Sequence, residues 1–215
     1  MSALVPMAPT LVCFAVPQEA KPFQKLLPPQ SRVEVLLTGI GPANAERTIQ
    51  RALREAKPCC VFTCGFAGAL NSSLAVGDVV FGKSVSPQMA QQLQAAGAKQ
   101  ASFISTDRVV ITSAEKLALY REKAADAVEM ESAVIERICR ESGIECVVLR
   151  AISDGACEDL PLDFNALMTA DQKLDSMKLA KAIWRRPQKI PALMRLGKNS
   201  AQAAEKLAQT LLKVI

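Results

Sequence analysis

The chain has 215 residues, of which half are hydrophobic, and carries 26 basic and 21 acidic side chains for a net charge of +5. This length and apolar content predict one domain over residues 1–215 with a sizeable core, and they exclude wholesale disorder. The weak basic charge and the single Trp and single Tyr argue against a nucleic-acid-binding protein.

Histidine is absent from the sequence. Its absence excludes Ser-His-Asp and Cys-His nucleophilic schemes and most zinc catalysis, so acid–base chemistry must come from other side chains. The seven cysteines lie mostly in apolar contexts without zinc-site spacing, and we expect reduced thiols, no metal and no redox cofactor. No signal peptide or membrane-spanning run is recognisable, which predicts a cytoplasmic protein.

Apolar, β-branched runs alternate with helical patterns along the chain, as is typical of α/β proteins. The runs predict strands at Leu11–Val16, Val33–Thr38, Cys60–Thr63, Asp78–Phe81, Arg108–Ile111, Ala127–Met130 and Glu145–Ala151. The helical patterns cover Pro17–Leu27, Pro42–Ala56, Pro87–Ala96, Ser113–Lys123 and Glu131–Ser142. We expect Ser113 to be an N-cap and Pro42 a first helical residue. The predicted fold is three-layer α/β/α, with a central twisted mixed β-sheet.

The C-terminal segment, residues 176–215, is predicted to be helical and basic. A helical pattern over Asp163–Trp184 is broken at Pro187 and resumes over Ile190–Val214, with Gly197 as a point where it could break. Between residues 176 and 204 the charged side chains are all basic: Lys178, Lys181, Arg185, Arg186, Lys189, Arg195 and Lys198. Two interpretations are open, a solvated helix face or a surface attracted to anionic lipid head groups or to a partner.

Two small-residue turns follow predicted strands. In the first, Gly39 and Gly41 would let the backbone approach a ligand, with free N–H groups that favour an anion or a polar oxygen. The second runs over Cys64–Ala69. Close packing of chain segments would explain both turns equally well.

Three acidic positions follow predicted β elements. Glu131 and Asp154 lie at the exits of two strands, where α/β proteins place ligands. Two separated acids can divide the work of breaking a glycosidic-type bond, one binding the sugar and one donating a proton. Glu19 follows the first strand and is either a helix-start acid, which the helix dipole favours, or part of the same site.

Five motifs in a fixed order extend over roughly residues 11 to 157. They are Gly39-Ile40-Gly41, Gly65-Phe66-Ala67-Gly68-Ala69-Leu70, Val76-Gly77-Asp78-Val79-Val80, Glu129-Met130-Glu131 and Arg150-Ala151-Ile152-Ser153-Asp154. In these motifs the chain resembles the nucleoside phosphorylase and nucleosidase superfamily, and their order is that of methylthioadenosine/S-adenosylhomocysteine nucleosidases. The C-terminal stretch from Trp184 to Leu196 is similar to the hopanoid-associated phosphorylase branch, which is linked to removal of adenine from adenosylhopane.

The resemblance implies a role for each acid. Asp154 would be the general acid that protonates the purine at N7, and Glu19 would activate water. Glu131 would bind the ribose hydroxyls, Met130 would pack against the sugar, and Glu129 would help to hold the turn. The further substrate-binding candidates are Gly39, Gly41, Gly65, Phe66 and Ser153. A carboxyl group with an ordinary pKa is ionised at neutral pH, so the surroundings of the acid must retain its proton.

The sequence departs from the family pattern at two places. Phosphorylases of the superfamily have an arginine two residues before the glycine of the central turn and a Ser or Thr after it, where this chain has Thr63 and Phe66. Neither can replace a guanidinium fork on phosphate, which favours water as the nucleophile. The region from 82 to 111 is also short, and Ser105, Thr106 and Asp107 lie where the base-binding strand should begin.

The predicted function is cleavage of the N-glycosidic bond of a purine nucleoside, a 5′-substituted adenosine such as adenosylhopane, with release of adenine. One alternative is a phosphate-dependent purine nucleoside phosphorylase. Another is a nucleoside-binding module without catalysis. The resemblance also implies a homo-oligomer, typically a dimer, as the assembly.

Overall fold

The computed structural model describes residues 8–215, and a β-sheet of eight strands lies at its centre. The strands are β1 (Thr10–Phe14), β2 (Val33–Leu37), β3 (Cys60–Ala69), β4 (Val79–Phe81), β5 (Lys99–Gln100), β6 (Phe103–Ser105), β7 (Ala127–Glu129) and β8 (Glu145–Asp154). The helices are α1 (Pro17–Leu26), α2 (Pro42–Glu55), α3 (Pro87–Ala95), α4 (Ser113–Lys123), α5 (Ser132–Glu141), α6 (Ser176–Arg185) and α7 (Ile190–Leu211). A 3₁₀ turn over Pro187–Lys189 links the last two helices.

The sheet is mixed, as predicted. Its main path runs β2-β1-β3-β8-β4-β5, while β7 pairs with the end of β3 and β6 pairs with β7. Strands β2, β1, β3 and β8 are parallel, whereas β4 runs antiparallel to β8 and β7 runs antiparallel to β3. The carboxyl ends of the four parallel strands therefore lie at one edge of the sheet, where the open α/β folds bind ligands.

Helices cover both faces of the sheet, which confirms the three layers. Alternate residues of a strand point to opposite faces. On one face Phe62 packs with Phe23 of α1 and Leu207 of α7. On the other face Val61 packs with Ile49 of α2, in a cluster that α5 also joins. The long β3 and β8 are buried between these layers and hold the strand ends in place.

A β-bulge interrupts the pairing of β3 with β8 near its carboxyl end. Ala67 pairs with Ile152, but the next residue, Gly68, pairs with Asp154. Ser153 is therefore the extra residue on β8. A bulge of this kind breaks the alternation of side chains, so two consecutive residues can reach the same side of a sheet.

The predicted strand at Arg108–Ile111 is wrong. The short strand β6 ends at Ser105, and the chain beyond it is irregular. Asn165 explains the difference, because its side-chain amide accepts a hydrogen bond from the N–H of Val109 (2.8 Å) and donates one to the carbonyl of Val109 (2.9 Å). The backbone of this apolar stretch is thus satisfied by a side chain from a distant loop, a partner that periodicity cannot predict.

The predicted helix over Asp163–Trp184 is wrong in its first half. Helix α6 begins at Ser176, where the carboxylate of Asp175 accepts hydrogen bonds from the N–H groups of Met177 and Lys178. Asp163 instead closes a tight turn. Leu162 and Leu167 are buried although the backbone around them is irregular.

Smaller differences concern helix ends. The N-cap of α4 is Thr112, in a capping box with Glu115, and the predicted cap Ser113 bonds Asp159 instead. Helix α7 continues through Gly197, with no break. In the described residues 8–215, no helix is long and apolar enough to cross a bilayer.

Helix α7 is expected to contribute strongly to stability, since Leu207 is fully buried between α1 and the sheet. Replacing Leu207 by Ala leaves a cavity and should lower the free energy of unfolding by about 2–5 kcal/mol. Gln209→Ala, at an exposed position two residues away, should change it by less than about 0.5 kcal/mol. Urea denaturation measures both, and equal effects would show that the last two turns of α7 do not pack as described.

Candidate active site

A cavity of about 290 Å³ opens at the carboxyl edge of the sheet. It is close to the lower end of the range for small-molecule sites, about 300–1,000 Å³. The ends of β3, β7 and β8 line it together with residues after β1, β2 and β6, and Leu196 and Ser200 of α7 close one side. The cavity contains most of the acidic positions singled out in the sequence: Glu19, Glu129, Glu131 and Asp154.

Arg150 of β8 organises the acidic side of this cavity from behind. It is fully buried, and its Nη2 donates to Oε2 of Glu129 (2.6 Å), to Oγ of Ser132 (2.8 Å) and to Oγ1 of Thr63 (3.3 Å). The same nitrogen lies 3.7 Å from Oε2 of Glu131. A buried guanidinium is stable only when charged and polar partners surround it, and here they come from the two strands β3 and β7 and from the start of α5.

Glu129 holds the turn between β7 and α5. Its Oε2 accepts from the N–H groups of Glu131 (2.9 Å) and Ser132 (2.7 Å), the first donors of the helix, and its Oε1 accepts from the Ser105 hydroxyl. With Arg150 this fills the hydrogen-bonding capacity of the carboxylate. Glu129 therefore supports the site, as the turn-holding role implied, and has little capacity left for a ligand.

Glu131 is the acid of this turn that faces the cavity. Its Oε1 accepts from the N–H of Gly41 (2.8 Å), which joins the turn after β2 to the turn after β7. Burial raises the pKa of Glu131 from 4.5 to about 7, and the nearby Arg150 opposes part of that shift. Glu131 is therefore close to half-protonated at neutral pH.

Glu19 reaches the cavity from the first turn of α1. Its Oε2 accepts from the N–H groups of Ala15 (3.0 Å) and Val16 (3.2 Å), and its Oε1 accepts from the N–H of Phe66 (2.9 Å). Burial raises the pKa of Glu19, while the positive charge of Arg150 acts in the opposite direction. It is thus a buried acid held by three backbone donors rather than an exposed helix-start acid.

Two glycines of these turns, Gly41 and Gly65, lie against the carboxylates of Glu131 and Glu19. A Cβ on Gly65 would lie 2.5 Å from Nη1 of Arg150 and 2.8 Å from Oε1 of Glu19, so that position must lack a side chain. Gly39 and Gly41 both have positive φ angles, 83° and 84°, which glycine adopts without strain. None of the three glycines lines the cavity, and they shape it from behind.

Asp154 lies across the cavity at the end of β8. Its Oδ1 accepts from the Ser153 hydroxyl (2.7 Å), and its Oδ2 accepts from Nζ of Lys116 (2.6 Å). Because of the bulge, both Ser153 and Asp154 line the cavity. A Cβ on Gly68 would come within 3.0 Å of Oδ2, which explains the small residue at that point of β3.

The remaining residues singled out in the sequence differ in whether they line the cavity. Phe66, Met130 and Thr106 line the cavity, whereas Asp107 is exposed outside it. Ser105 is used internally, since its hydroxyl bonds Glu129 and accepts from the N–H of Ala133.

The cavity offers little for a multiply charged anion. Of the cavity-lining residues in the described chain only Arg108 is basic, and it is paired with Glu115 at 2.7 Å. Thr63, where the related phosphorylases have arginine, is buried against Arg150. Within residues 8–215 no group of three or more Cys, Asp or Glu side chains could hold a metal ion.

Two site residues carry no role in the sequence interpretation. Arg150 was part of a motif, and the signal for its role is a guanidinium within an otherwise apolar strand, which requires buried acidic partners. Lys116 had no usable signal, because a lysine is seldom buried and apolar side chains such as Leu117 and Tyr120 are the ones expected to be covered. The structure exposes both of those apolar side chains and buries the lysine.

Solved structures of nucleosidases share the fold along almost the whole chain. The futalosine hydrolase of Helicobacter pylori strain 26695 superposes with a TM-score of 0.73 at 19% identity, covering 97% of both chains. The 5′-methylthioadenosine/S-adenosylhomocysteine nucleosidase of Neisseria meningitidis, in complex with methylthio-immucillin-A, gives a TM-score of 0.73 at 20% identity over 97% of this chain and 98% of that chain. At these identities the likeness establishes the fold.

Relatives in sequence include two nucleosidases. The 5′-methylthioadenosine/S-adenosylhomocysteine nucleosidase of Shewanella oneidensis is 28% identical over 175 residues, 62% of this chain and 71% of that protein. The aminodeoxyfutalosine nucleosidase of Helicobacter pylori is 39% identical over 70 residues, 33% of this chain, and the match spans less than a third (30%) of that protein's length. The family model described as the Phosphorylase superfamily matches residues 25–91 and 84–185. The matched residues make up most of the chain, and the protein belongs to the Phosphorylase superfamily.

Proposed function

We propose that this protein hydrolyses the N-glycosidic bond of an adenine nucleoside. The observation that carries the proposal is the convergence of Glu19, Glu131 and Asp154 on one cavity, from three separate elements of the fold. Two relatives in sequence are nucleosidases by name, and the fold is that of solved nucleosidases.

The sugar would bind at Glu131. A carboxylate can accept hydrogen bonds from two adjacent hydroxyl groups, and the Gly41 N–H fixes the orientation of this one. Met130, the preceding residue, would pack against the ribose ring with its flexible apolar side chain.

Water would be activated by Glu19. A general base works best when its pKa lies near the working pH, and the raised pKa of Glu19 moves it in that direction. The backbone donors of Ala15, Val16 and Phe66 hold the carboxylate in one position. The water oxygen would bond to C1′ of the sugar, and its proton would pass to Glu19.

The purine would leave toward Asp154. As the bond from C1′ to N9 breaks, its electron pair moves to the base, and a proton from Asp154 to N7 makes the base a neutral leaving group. Ser153 orients the acid through its hydrogen bond to Oδ1. The sugar in the transition state resembles an oxocarbenium ion, as in other glycosidic cleavages.

Water rather than phosphate is the proposed nucleophile. A phosphate ion needs charged donors, most effectively a guanidinium fork. Arg108, the basic residue that lines the described cavity, is paired with Glu115, and Arg150 lies behind the cavity wall in an ion pair with Glu129.

The 5′ substituent is proposed to be large and lipid-linked, as in adenosylhopane. The resemblance of the C-terminal stretch to the hopanoid-associated branch motivates this proposal. Two observations support it: α7 contributes Leu196 and Ser200 to the cavity wall, and the same C-terminal region exposes Met177 (81%), Trp184 (83%) and Met194 (71%) among basic residues. Exposed aromatic and apolar side chains beside Lys and Arg are typical of helices that lie on anionic membranes.

Base release should not require phosphate and should depend on both buried acids. Asp154→Asn and Glu19→Gln should each lower kcat for adenosine or 5′-methylthioadenosine by about 10²- to 10⁴-fold, since each removes a general acid or base. Adenine release, measured with and without phosphate, checks this. Asp107→Asn is the matched control, because Asp107 is exposed outside the cavity. Release only with phosphate would favour the phosphorylase, and adenine binding without release from any nucleoside would favour the binding module.

The stability of the protein should fall as pH rises through the titration of Glu131. Its pKa is raised from 4.5 to about 7, so the folded state binds more protons than the unfolded state between those values. The wild-type protein should lose unfolding free energy between pH 5 and pH 8. Glu131→Gln removes the titrating group, so this loss should be smaller in the variant by about 2 kcal/mol. Urea denaturation at the two pH values measures this. Glu34→Gln, at an exposed position of β2, should show the same dependence of unfolding free energy on pH as the wild type. If Glu131→Gln also showed that dependence, the Glu131 carboxylate would be solvated and the prediction would be wrong.

The basic C-terminal region should bind anionic vesicles. Changing Arg185, Arg186 and Lys189 together to Ser should weaken binding to phosphatidylserine-containing vesicles by about 10²-fold, since each cation near the surface contributes about 1 kcal/mol. The matched control is the same triple change at three basic residues elsewhere on the surface, Lys21, Lys25 and Lys57. Cosedimentation measures binding. Equal losses of vesicle binding in both triple variants would show that binding depends on net charge alone and not on the C-terminal region.

A further inference from the structure

Lys116 is a fully buried lysine on the far side of Asp154 from the cavity. In the described chain, 8–215, it and Arg150 are the two buried basic residues. Its Nζ donates to Oδ2 of Asp154 (2.6 Å), to the carbonyl of Gly155 (2.7 Å) and to the carbonyl of Glu158 (3.0 Å). An ammonium group has three donors, and all three are used.

Packing alone does not explain this lysine. Helix α4 leaves Leu117 and Tyr120 substantially exposed while it buries Lys116. Burying a charged group is unfavourable unless it is paired and hydrogen-bonded, and an apolar residue of similar size is often at least as stable. The position therefore serves the carboxylate that it contacts.

The lysine is linked to the cavity only through that carboxylate. Asp154 lines the cavity and Lys116 does not. The other oxygen of Asp154 is bonded to Ser153, so the carboxyl group is clamped from both sides. The two carbonyls bound by Nζ belong to the loop after β8, and this loop is tied to α4 by the same lysine.

We propose that Lys116 is a positioning residue that orients Asp154 and supplies the proton that Asp154 passes to the departing base. This inference rests on the proposed glycosidic cleavage. Before reaction the Asp154 carboxylate is paired with the Lys116 ammonium. As the C1′–N9 bond breaks, its electron pair stays on the purine, the Lys116 ammonium passes a proton to Asp154, and Asp154 passes a proton to N7, so that Asp154 ends as the carboxylate that it began. Lysine is left neutral, and the water that attacks C1′ gives its proton to Glu19. After the products leave, Glu19 releases that proton to solvent and Lys116 takes one up from solvent, which restores both groups.

A leaving group that needs no proton separates this role from a structural one. Lys116→Met keeps the aliphatic stem and removes the ammonium. Lys116→Gln keeps hydrogen-bond donors but has no proton to give, and serves if the Met variant does not fold. Both should lower kcat for adenosine by about 10²-fold with KM within about threefold. Release of nitrophenolate from 4-nitrophenyl β-D-riboside should stay within about threefold of wild type, because nitrophenolate departs as a stable anion.

Two controls test whether the effect is specific to Lys116 and acts through Asp154. Lys123→Met, an exposed lysine on the same helix, should leave both activities unchanged. In an Asp154→Asn background, Lys116→Met should lower kcat by a further factor of less than about three, because the effects of residues that act as one unit are not additive. Four results would overturn the inference. They are equal losses of kcat on both substrates, a raised KM at constant kcat, a Lys116→Gln variant as active as wild type, and additive effects with Asp154→Asn. If wild type releases no adenine from any nucleoside, the proposed function fails and the inference fails with it.

Discussion

The site depends on one buried cation, Arg150, placed against more negative charge than it can neutralise. Glu129, Glu131 and Glu19 all lie within its influence, yet its closest ion pair is with Glu129 at 2.6 Å. Glu129 therefore keeps its charge balanced and holds the α5 turn, while Glu131 and Glu19 are left buried with incomplete compensation. Burial raises the pKa values of both groups and Arg150 offsets only part of the rise, which favours proton chemistry at these two carboxyl groups.

The fold provides this arrangement at the edge where its parallel strands end. Strands β1, β3 and β8 deliver Glu19, Phe66 and Asp154 to one cavity, and the β7 turn delivers Glu131. Long-range hydrogen bonds then join elements that are distant in sequence. A ligand in the cavity meets acids held by backbone donors and buried cations, so little reorganisation is needed for reaction.

Much of this could be predicted from the sequence, because local periodicity reports strands and helices, and the ordered motifs contain Glu131 and Asp154, two of the three acids that line the cavity. The short strand β6 and the start of α6 could not be predicted. Asn165 bonds the irregular backbone at Val109, and Leu167 is buried outside any helix, and both contacts are made only in the folded chain. Lys116 was missed for the same reason. Its partner lies 38 residues away, and a lysine is normally exposed to solvent.

The bulge at Ser153 also limits how this protein can change. Two neighbouring side chains of β8 face the cavity only because the pairing with β3 slips by one residue between Ala67 and Gly68. Gain or loss of a single residue there would reverse the parity of the strand and turn the carboxyl group of Asp154 toward the opposite face. Loops around the cavity can lengthen or shorten as substrates diverge, but the number of residues between Arg150 and Asp154 has to remain constant through that divergence.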